Sequence, residues 1–252
     1  HRVHRRQRQM CIRDRDFLSY YYNKETEWSN EVVVSYKWHD LPPGSGLLDL
    51  ELGRESELTH YDWITDTTVH DGSAWAYMKN SKYKTTTDLV HYLIDNVSKN
   101  GYMLLNIGPK PDGTIPEEDK NLLEGIGNWL DVNGEAIFET ETWDQYGEGP
   151  TKMNEAGPFS DNRAKLIYTA KDFRFTTKDN FLYATALGWP SKDFTIESIY
   201  KLFDNEIERV ELLGSTDKVE WKHTRDGLHI TRPDNKPCEH AYSFKITRKE
   251  YL

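Results

Sequence analysis

Cysteine is scarce. Cys11 and Cys238 are the two in 252 residues, too few for a disulfide framework and without the Cys-x-x-Cys spacing of a zinc ribbon or a redox pair. Long apolar runs are missing as well. Stretches such as Tyr102 to Leu105 fall far short of the roughly 20 residues a membrane-spanning helix needs, so no membrane partner is expected. Positive charge is in deficit, with 32 Lys and Arg against 42 Asp and Glu and a formal net charge of -10. That balance argues against nucleic acid held through its phosphates. Sixteen glycines and ten prolines in a chain that is 37% hydrophobic exclude a collagen-like fibre and argue against disorder. What is abundant is aromatic: 8 Trp, 15 Tyr and 9 Phe, 13% of the chain. Aromatic faces stack on the apolar faces of sugar rings as readily as on one another, which raises a carbohydrate reading, although packing is the commoner role of any single ring.

The first fifteen residues, HRVHRRQRQMCIRDR, differ from everything after them. They hold six arginines, no lysine and a single acid, Asp14. They have no apolar segment of a secretory signal and little of the serine of a transit peptide. They read as a non-native leader outside the fold, and the segment from Asp16 to Asn23 as the end of a helix whose earlier turns are missing. The chain is therefore expected to be a fragment.

From Val32 the pattern is strand, helix, strand, helix. Val32 to Tyr36 is a β-branched run suited to a buried strand, with Lys37, Trp38, His39 and Asp40 gathered at its far end. Leu47 to Glu51 and Trp63 to Val69 supply two more strand-like pieces. Thr85 to Lys99 carries a helical stripe of Leu89, Val90, Leu93, Ile94 and Val97, with Thr85 to Thr87 as caps and Gly101 as its terminating glycine. Tyr102 to Asn106 reads as a buried strand. Pro116 then opens a second helix with Glu117, Glu118 and Asp119 at its positive end, closed by Asn133 and Gly134. From about Ile137 helical stripes cease, and short strands follow at Lys165 to Thr169, Phe173 to Thr176, Asn180 to Leu187, Phe194 to Ile199, Val210 to Leu213, Leu228 to Thr231 and Ala241 to Thr247. The expected architecture is α/β plus all-β: a parallel part over 16–137 followed by an antiparallel β-sandwich over 138–252.

Several blocks carry a more specific signal. Leu104-Leu-Asn-Ile-Gly-Pro-Lys-Pro-Asp-Gly-Thr-Ile-Pro116 continues to Gly127-Asn-Trp-Leu-Asp-Val-Asn-Gly-Glu-Ala-Ile137. Tyr20-Tyr-Tyr-Asn-Lys24, Val32-Val-Val-Ser-Tyr-Lys-Trp38, Leu48-Asp-Leu-Glu-Leu-Gly-Arg54, Trp63-Ile-Thr-Asp-Thr-Thr68, Ser73-Ala-Trp-Ala-Tyr77 and Tyr183-Ala-Thr-Ala-Leu-Gly-Trp-Pro190 lie around that run. In content and order, from Phe17 to Leu252, they resemble the α-L-fucosidases of glycoside hydrolase family 29. The resemblance implies the C-terminal half of a (β/α)8-type catalytic barrel followed by a β-sandwich. It also implies a cofactor-free retaining hydrolase acting on terminal α-L-fucose of a glycan. Such enzymes use a nucleophilic carboxylate and an acid/base carboxylate roughly 5–5.5 Å apart.

The family pattern points to Glu51 as acid/base, with Glu55 and Glu57 as neighbouring rivals. A carboxyl group in that role needs burial or a nearby carboxylate to stay protonated near neutrality. Lys37 stands where many members carry an Arg that contacts the sugar; lysine supplies a mobile point charge in place of a rigid fork, and an ordinary exposed Lys weighs about equally. Trp75 matches an aromatic that packs on fucose. Trp38 and Asp66 are weaker pocket candidates, with packing and structural hydrogen bonding the rival roles. The family's nucleophile, an Asp in a Trp-x-Asp-Gly-like strand end ahead of the Val32 strand, has no counterpart here, since Asp14 and Asp16 lie in the wrong context. A whole barrel runs to about 250 residues, roughly twice the span from Asp16 to Ile137. The chain alone is expected to be inactive, and the alternative is a non-catalytic carbohydrate-binding protein. Asp112-Gly-Thr and Asp71-Gly-Ser read as turns, because the alternating oxygen ligands of a calcium loop are absent. His39, His60 and His70 read as loop residues near a pocket, and the nine histidines show no metal spacing. The family works in secreted, periplasmic or lysosomal settings, which localisation by resemblance would follow, and assembly as a homo-oligomer is open.

Overall fold

The computed structural model describes residues 2–38, 40–72, 74–162 and 165–249. The loop positions His39 and Ser73 lie outside the described residues. The chain forms two compact units, residues 1–49 and 50–252.

In the first unit a single helix, α1 (Arg2–Trp28), runs unbroken through the arginine-rich segment. Two short strands follow, β1 (Ser35–Lys37) and β2 (Leu47–Asp49), paired in parallel with Tyr36 opposite Leu48. The β-branched run is not the buried strand expected. The ladder reaches only Ser35 to Lys37, and Val33 is 57% exposed. Successive strand side chains face opposite ways, so such a run is buried throughout only where layers cover both faces.

The second unit begins with a parallel pair, β3 (Trp63–Thr68) and β4 (Gly101–Asn106), joined by α2 (Thr86–Ser98) and followed by α3 (Glu117–Asn133). A parallel connection needs a crossover, and the Leu89, Val90 and Ile94 stripe of α2 meets Leu122, Ile126 and Trp129 of α3 in one core that Leu105 and Ile107 join. On the opposite face of β4, Tyr102 and Leu104 are 52% and 59% exposed. The expectation of a strand buried on both faces fails here, because the α2 and α3 layer covers only one. Gly101 is also not the helix-ending glycine: Asn100 takes the left-handed conformation at φ 72°, and Gly101 opens β4. A Cβ on Gly101 would come within 2.4 Å of the Trp63 ring, so close packing accounts for the glycine.

Thr85 caps α2 as expected. Its Oγ1 accepts the Asp88 N–H at 3.1 Å, and Asp88 accepts the Thr85 N–H at 3.0 Å, a reciprocal capping box. Thr85→Ala is expected to cost about 1 kcal/mol, read as a lower urea midpoint with an unchanged slope.

The antiparallel part has two sheets. The larger has the order β5-β6-β7-β12-β9, from β5 (Glu141–Glu148), β6 (Phe173–Lys178), β7 (Phe181–Ala186), β12 (Tyr242–Arg248) and β9 (Ile207–Leu212); the smaller is β10-β11-β8, from β10 (Trp221–Thr224), β11 (Gly227–Ile230) and β8 (Phe194–Ile196). Phe173, Phe175 and Phe244 of the first sheet and Ile196, Leu228 and Ile230 of the second share one core. Strand pairing departs from the sequence reading at both ends of expectation. Lys165 to Thr169 forms no strand: Asp172, fully buried, accepts the Thr169 N–H at 2.7 Å and the Thr151 N–H at 2.8 Å, so its carboxylate replaces a ladder. Strand β5 escaped notice because it is mostly polar and its pairing with β6 shifts register between Thr142 and Gly147, which breaks the alternation. Strand β10 is only four residues long.

The α2 and α3 layer is fastened to these sheets. The Trp129 indole donates to the Ala241 carbonyl at 2.9 Å. Fully buried Asp95 of α2 accepts from Lys99 at 2.9 Å and from Arg174 of β6 at 2.6 Å, with Arg54 3.6 Å away.

Candidate functional site

Active sites of parallel α/β folds form at the carboxyl ends of the strands, where loops carry chemistry on a rigid base. In the second unit the segment 50–54 runs beside β3: the Leu50 N–H donates to the Ile64 carbonyl at 2.8 Å and the Leu52 N–H to the Asp66 carbonyl at 2.9 Å. Glu51 is thereby placed between two backbone bonds to β3 and brought next to Asp66 in the sheet direction. Its side chain is half-buried.

The turn bearing Glu51 is unusually well held. Leu52 adopts φ 47°, a left-handed conformation that a branched residue disfavours, and is nevertheless 1% exposed. Burial of Leu52 and a clasp from residues 157–161 hold the strain. The Phe159 N–H donates to the Glu51 carbonyl at 2.7 Å, the Asp161 N–H to that of Leu52 at 3.0 Å and the Gly157 N–H to that of Arg54 at 2.8 Å. From the other side the Tyr92 hydroxyl donates to the Gly53 carbonyl at 2.9 Å. Gly53 has no room for a side chain, since a Cβ would lie 2.1 Å from the Gly157 carbonyl oxygen. Arg54 closes the turn with an ion pair to Asp161 at 3.0 Å and lies over the Tyr92 ring at 4.3 Å. Burial alone would lower the Arg54 guanidinium, but Asp161, Tyr168 and Asp95 outweigh it and keep the group charged.

The rivals of Glu51 sit differently. Glu55 accepts the Tyr61 hydroxyl at 2.9 Å and offers its backbone carbonyl to Lys99 at 3.0 Å. Glu57 is exposed.

Trp75 is half-buried in the loop after β3. Asn106, the last residue of β4, donates to the Trp75 carbonyl at 2.8 Å, and Thr68, the last of β3, donates to the Ala74 carbonyl at 2.9 Å. Gly108 supports the same loop from below, where a Cβ would meet the Tyr77 backbone nitrogen at 2.7 Å. Thr68, Asn106 and the 157–161 clasp were not singled out in the sequence. Thr68 and Asn106 are legible as polar residues ending apolar strands, whereas the clasp is about a hundred residues away from the turn it holds.

Lys37 and Trp38 belong to the first unit. Lys37 ends β1, and its ammonium lies 3.7 Å from the Asp49 carboxylate at the end of β2. Trp38 follows at φ 54° with 61% exposure, a position in which it has little packing role. Of the loop histidines, His60 is exposed, while His70 is fully buried with its ring 4.8 Å from that of Tyr83. Asp112 accepts the Thr114 N–H at 3.0 Å, the local bond of a turn. Among the described residues, no group of three His, Cys, Asp or Glu side chains could hold a metal ion.

Residues 3–135 match the sequence model of the α-L-fucosidase family, and residues 165–247 match that of the α-L-fucosidase C-terminal domain. The chain is 30% identical to the plasma α-L-fucosidase of Rattus norvegicus over 92% of its own length and 49% of that protein's. It is 28% identical to the tissue α-L-fucosidase of the same animal, again over 92% of the chain and 48% of the relative. The crystal structure of Thermotoga maritima α-fucosidase in complex with fucose superposes with a TM-score of 0.67 at 27% identity, covering 90% of this chain and 47% of that one. The chain thus spans about half the length of the curated relatives it matches. With the first of the two family matches alone extending over more than half of its residues, the chain belongs to the α-L-fucosidase family.

Proposed function

We propose that this chain carries the acid/base half of a retaining exo-α-L-fucosidase acting on fucosylated glycans. Residues 16–137 form the C-terminal half of a (β/α)8-type barrel and residues 138–252 the following sandwich. Glu51 protonates the glycosidic oxygen as the bond to the anomeric carbon breaks, then takes a proton from the water that releases fucose from the glycosyl-enzyme. Trp75 packs against the sugar's apolar face and Lys37 contacts a hydroxyl near the nucleophile, with Trp38 and Asp66 as the further substrate-contacting candidates that the family resemblance implies. The observation that carries this reading is the Glu51 turn itself. A half-buried carboxylate sits on a strained, multiply clasped backbone beside a parallel strand, within the stretch that matches the catalytic domain of the family. Strain kept at such a cost is found where a side chain must be aimed.

A retaining mechanism requires a second carboxylate as nucleophile, and no Trp-x-Asp-Gly segment occurs among these 252 residues. The polypeptide by itself is expected to release no aryl alcohol from an aryl α-L-fucoside above the buffer rate. Turnover that is lost in Glu51→Gln would overturn the proposed inactivity and support Glu51. Turnover that Glu51→Gln leaves unchanged would overturn the assignment of Glu51.

A further inference from the structure

The antiparallel part contains a cleft of about 620 Å³ at the end of the core where β5, the β6–β7 turn, the start of β9 and the end of β12 converge. Its floor is apolar, with Trp143 set edge-on to Phe175 at 5.1 Å between ring centres. Its lip is the loop 200–206, on which Tyr200, Leu202 and Phe203 are 49%, 67% and 66% exposed. Three large apolar side chains within four consecutive positions, held open to solvent, are not a core that failed to close. The loop is fixed in place: Lys201 donates its N–H to the Thr224 carbonyl at 2.8 Å and pairs with Asp204, and Glu206 accepts the Phe203 N–H.

The other walls are equally set. Glu148 accepts the N–H groups of Glu197 and Ser198 at 3.0 and 2.6 Å, and the Arg248 N–H donates to the Asn180 carbonyl at 2.9 Å. Polar groups face the apolar floor from this rigid frame. The Nε of Arg248 is buried without a hydrogen-bond partner, and the His223 side chain, 8% exposed, has the backbone of Ile199 and Tyr200 beside it and its Nδ1 3.9 Å from Glu206. A buried donor left unpaired costs stability unless something arrives to accept from it. Asp144 lies close enough to oppose the effect of burial on the Arg248 guanidinium, so the rim mixes acid and base instead of presenting one sign.

We propose that this cleft is a binding site for a neutral oligosaccharide, separate from the Glu51 site. Aromatic and aliphatic faces cover the apolar side of a sugar ring, and planar carboxylate, amide and guanidinium groups satisfy its hydroxyls from the edge. A rim of mixed charge favours a ligand without net charge over an anion or a cation. The choice of a glycan among neutral ligands rests on the fucosidase reading, whereas the existence of the site rests on the cleft alone. The site would hold the glycan away from the bond being cut and so raise its local concentration at the catalytic pocket.

The test is calorimetric titration of the full chain with 2′-fucosyllactose, lactose and cellohexaose. Binding of at least one probe in the millimolar range or tighter is expected. It should weaken at least tenfold in the double variant Tyr200→Ala, Phe203→Ala, whose exposed side chains can be removed with the melting transition unchanged, and also in Arg248→Met. Binding should persist in Trp75→Ala, which impairs the proposed catalytic pocket, so a failed Glu51 assignment leaves this result intact. Three outcomes would overturn the proposal: no heat with any probe at tens of millimolar, binding lost in Trp75→Ala but kept in the loop variant, or a concentration-dependent dimer that the loop variant abolishes, which would make the lip an interface between copies.

Discussion

Asp95→Asn is expected to remove about 3–5 kcal/mol of stability, a large part of the roughly 5–15 kcal/mol that holds a typical domain folded. The Asp95 carboxylate is fully buried and faces Lys99 at 2.9 Å, Arg174 at 2.6 Å and Arg54 at 3.6 Å. Asparagine keeps the shape and some of the hydrogen bonding but removes the charge that Lys99 and Arg174 share. Arg54 retains Asp161. Two cations would then remain in a desolvated joint between α2 and β6, and burial already pushes the Lys99 ammonium down despite Asp95 beside it. A second substitution separates this cause from lost packing. Lys99→Met in the Asp95→Asn background removes one stranded charge while keeping most of its volume, so it should recover part of the urea midpoint. If Lys99→Met lowers the midpoint further, the network stabilises through packing and not through charge.

The same carboxylate sets an acid limit. Burial would raise its pKa, but Lys99, Arg174 and Arg54 outweigh that effect and hold it well below the usual carboxylate range. A depressed folded-state pKa contributes stability that is complete above the unfolded value of about 4 and is lost as pH falls toward the folded value. The urea midpoint of the parent chain should therefore drop as pH is lowered below about 4, and that of Asp95→Asn should drop less steeply.

The largest effect on activity is expected at Glu51. When the chain is joined to an N-terminal family half that supplies the nucleophile, Glu51→Gln should lower kcat/KM on an aryl α-L-fucoside by about 10² to 10⁴. The loss should be smaller for good leaving groups, which need little protonation. Added azide should restore turnover as the fucosyl azide, because a small anion can attack the glycosyl-enzyme without a general base. Glu55→Gln and Glu57→Gln should fall within a few-fold of the parent, since Glu55 is occupied with Tyr61 and Glu57 is solvated. A full loss in Glu55→Gln, with Glu51→Gln near the parent, would move the acid/base assignment by four residues.

Local signals were legible in the sequence where structure is made by neighbours. The α2 stripe, its Thr85 cap and the acid-led start of α3 were all readable, because a helix depends on spacing within a few turns and on the groups at its own ends. The order of motifs sufficed to identify the family, and it nominated Glu51 and Trp75 as candidates. Features that depend on distant partners were not legible. Asp95 and Lys99, four apart on a helix, look like an exposed ion pair, and nothing local says that Arg54 and Arg174 will bury them. Strand β5 hides behind a register shift, Lys165 to Thr169 looks like a strand until Asp172 takes its backbone bonds, and Tyr102 and Leu104 look buried until one face of β4 is found uncovered. The sequence by itself determined α2, α3 and the family, and it nominated the acid/base residue. Only tertiary structure decided the clasp that holds Glu51 in a strained turn, the charge network at the α2 and β6 joint, and the open cleft of the antiparallel part. Each of these brings together groups tens of residues or more apart, where burial, not local spacing, sets the energy.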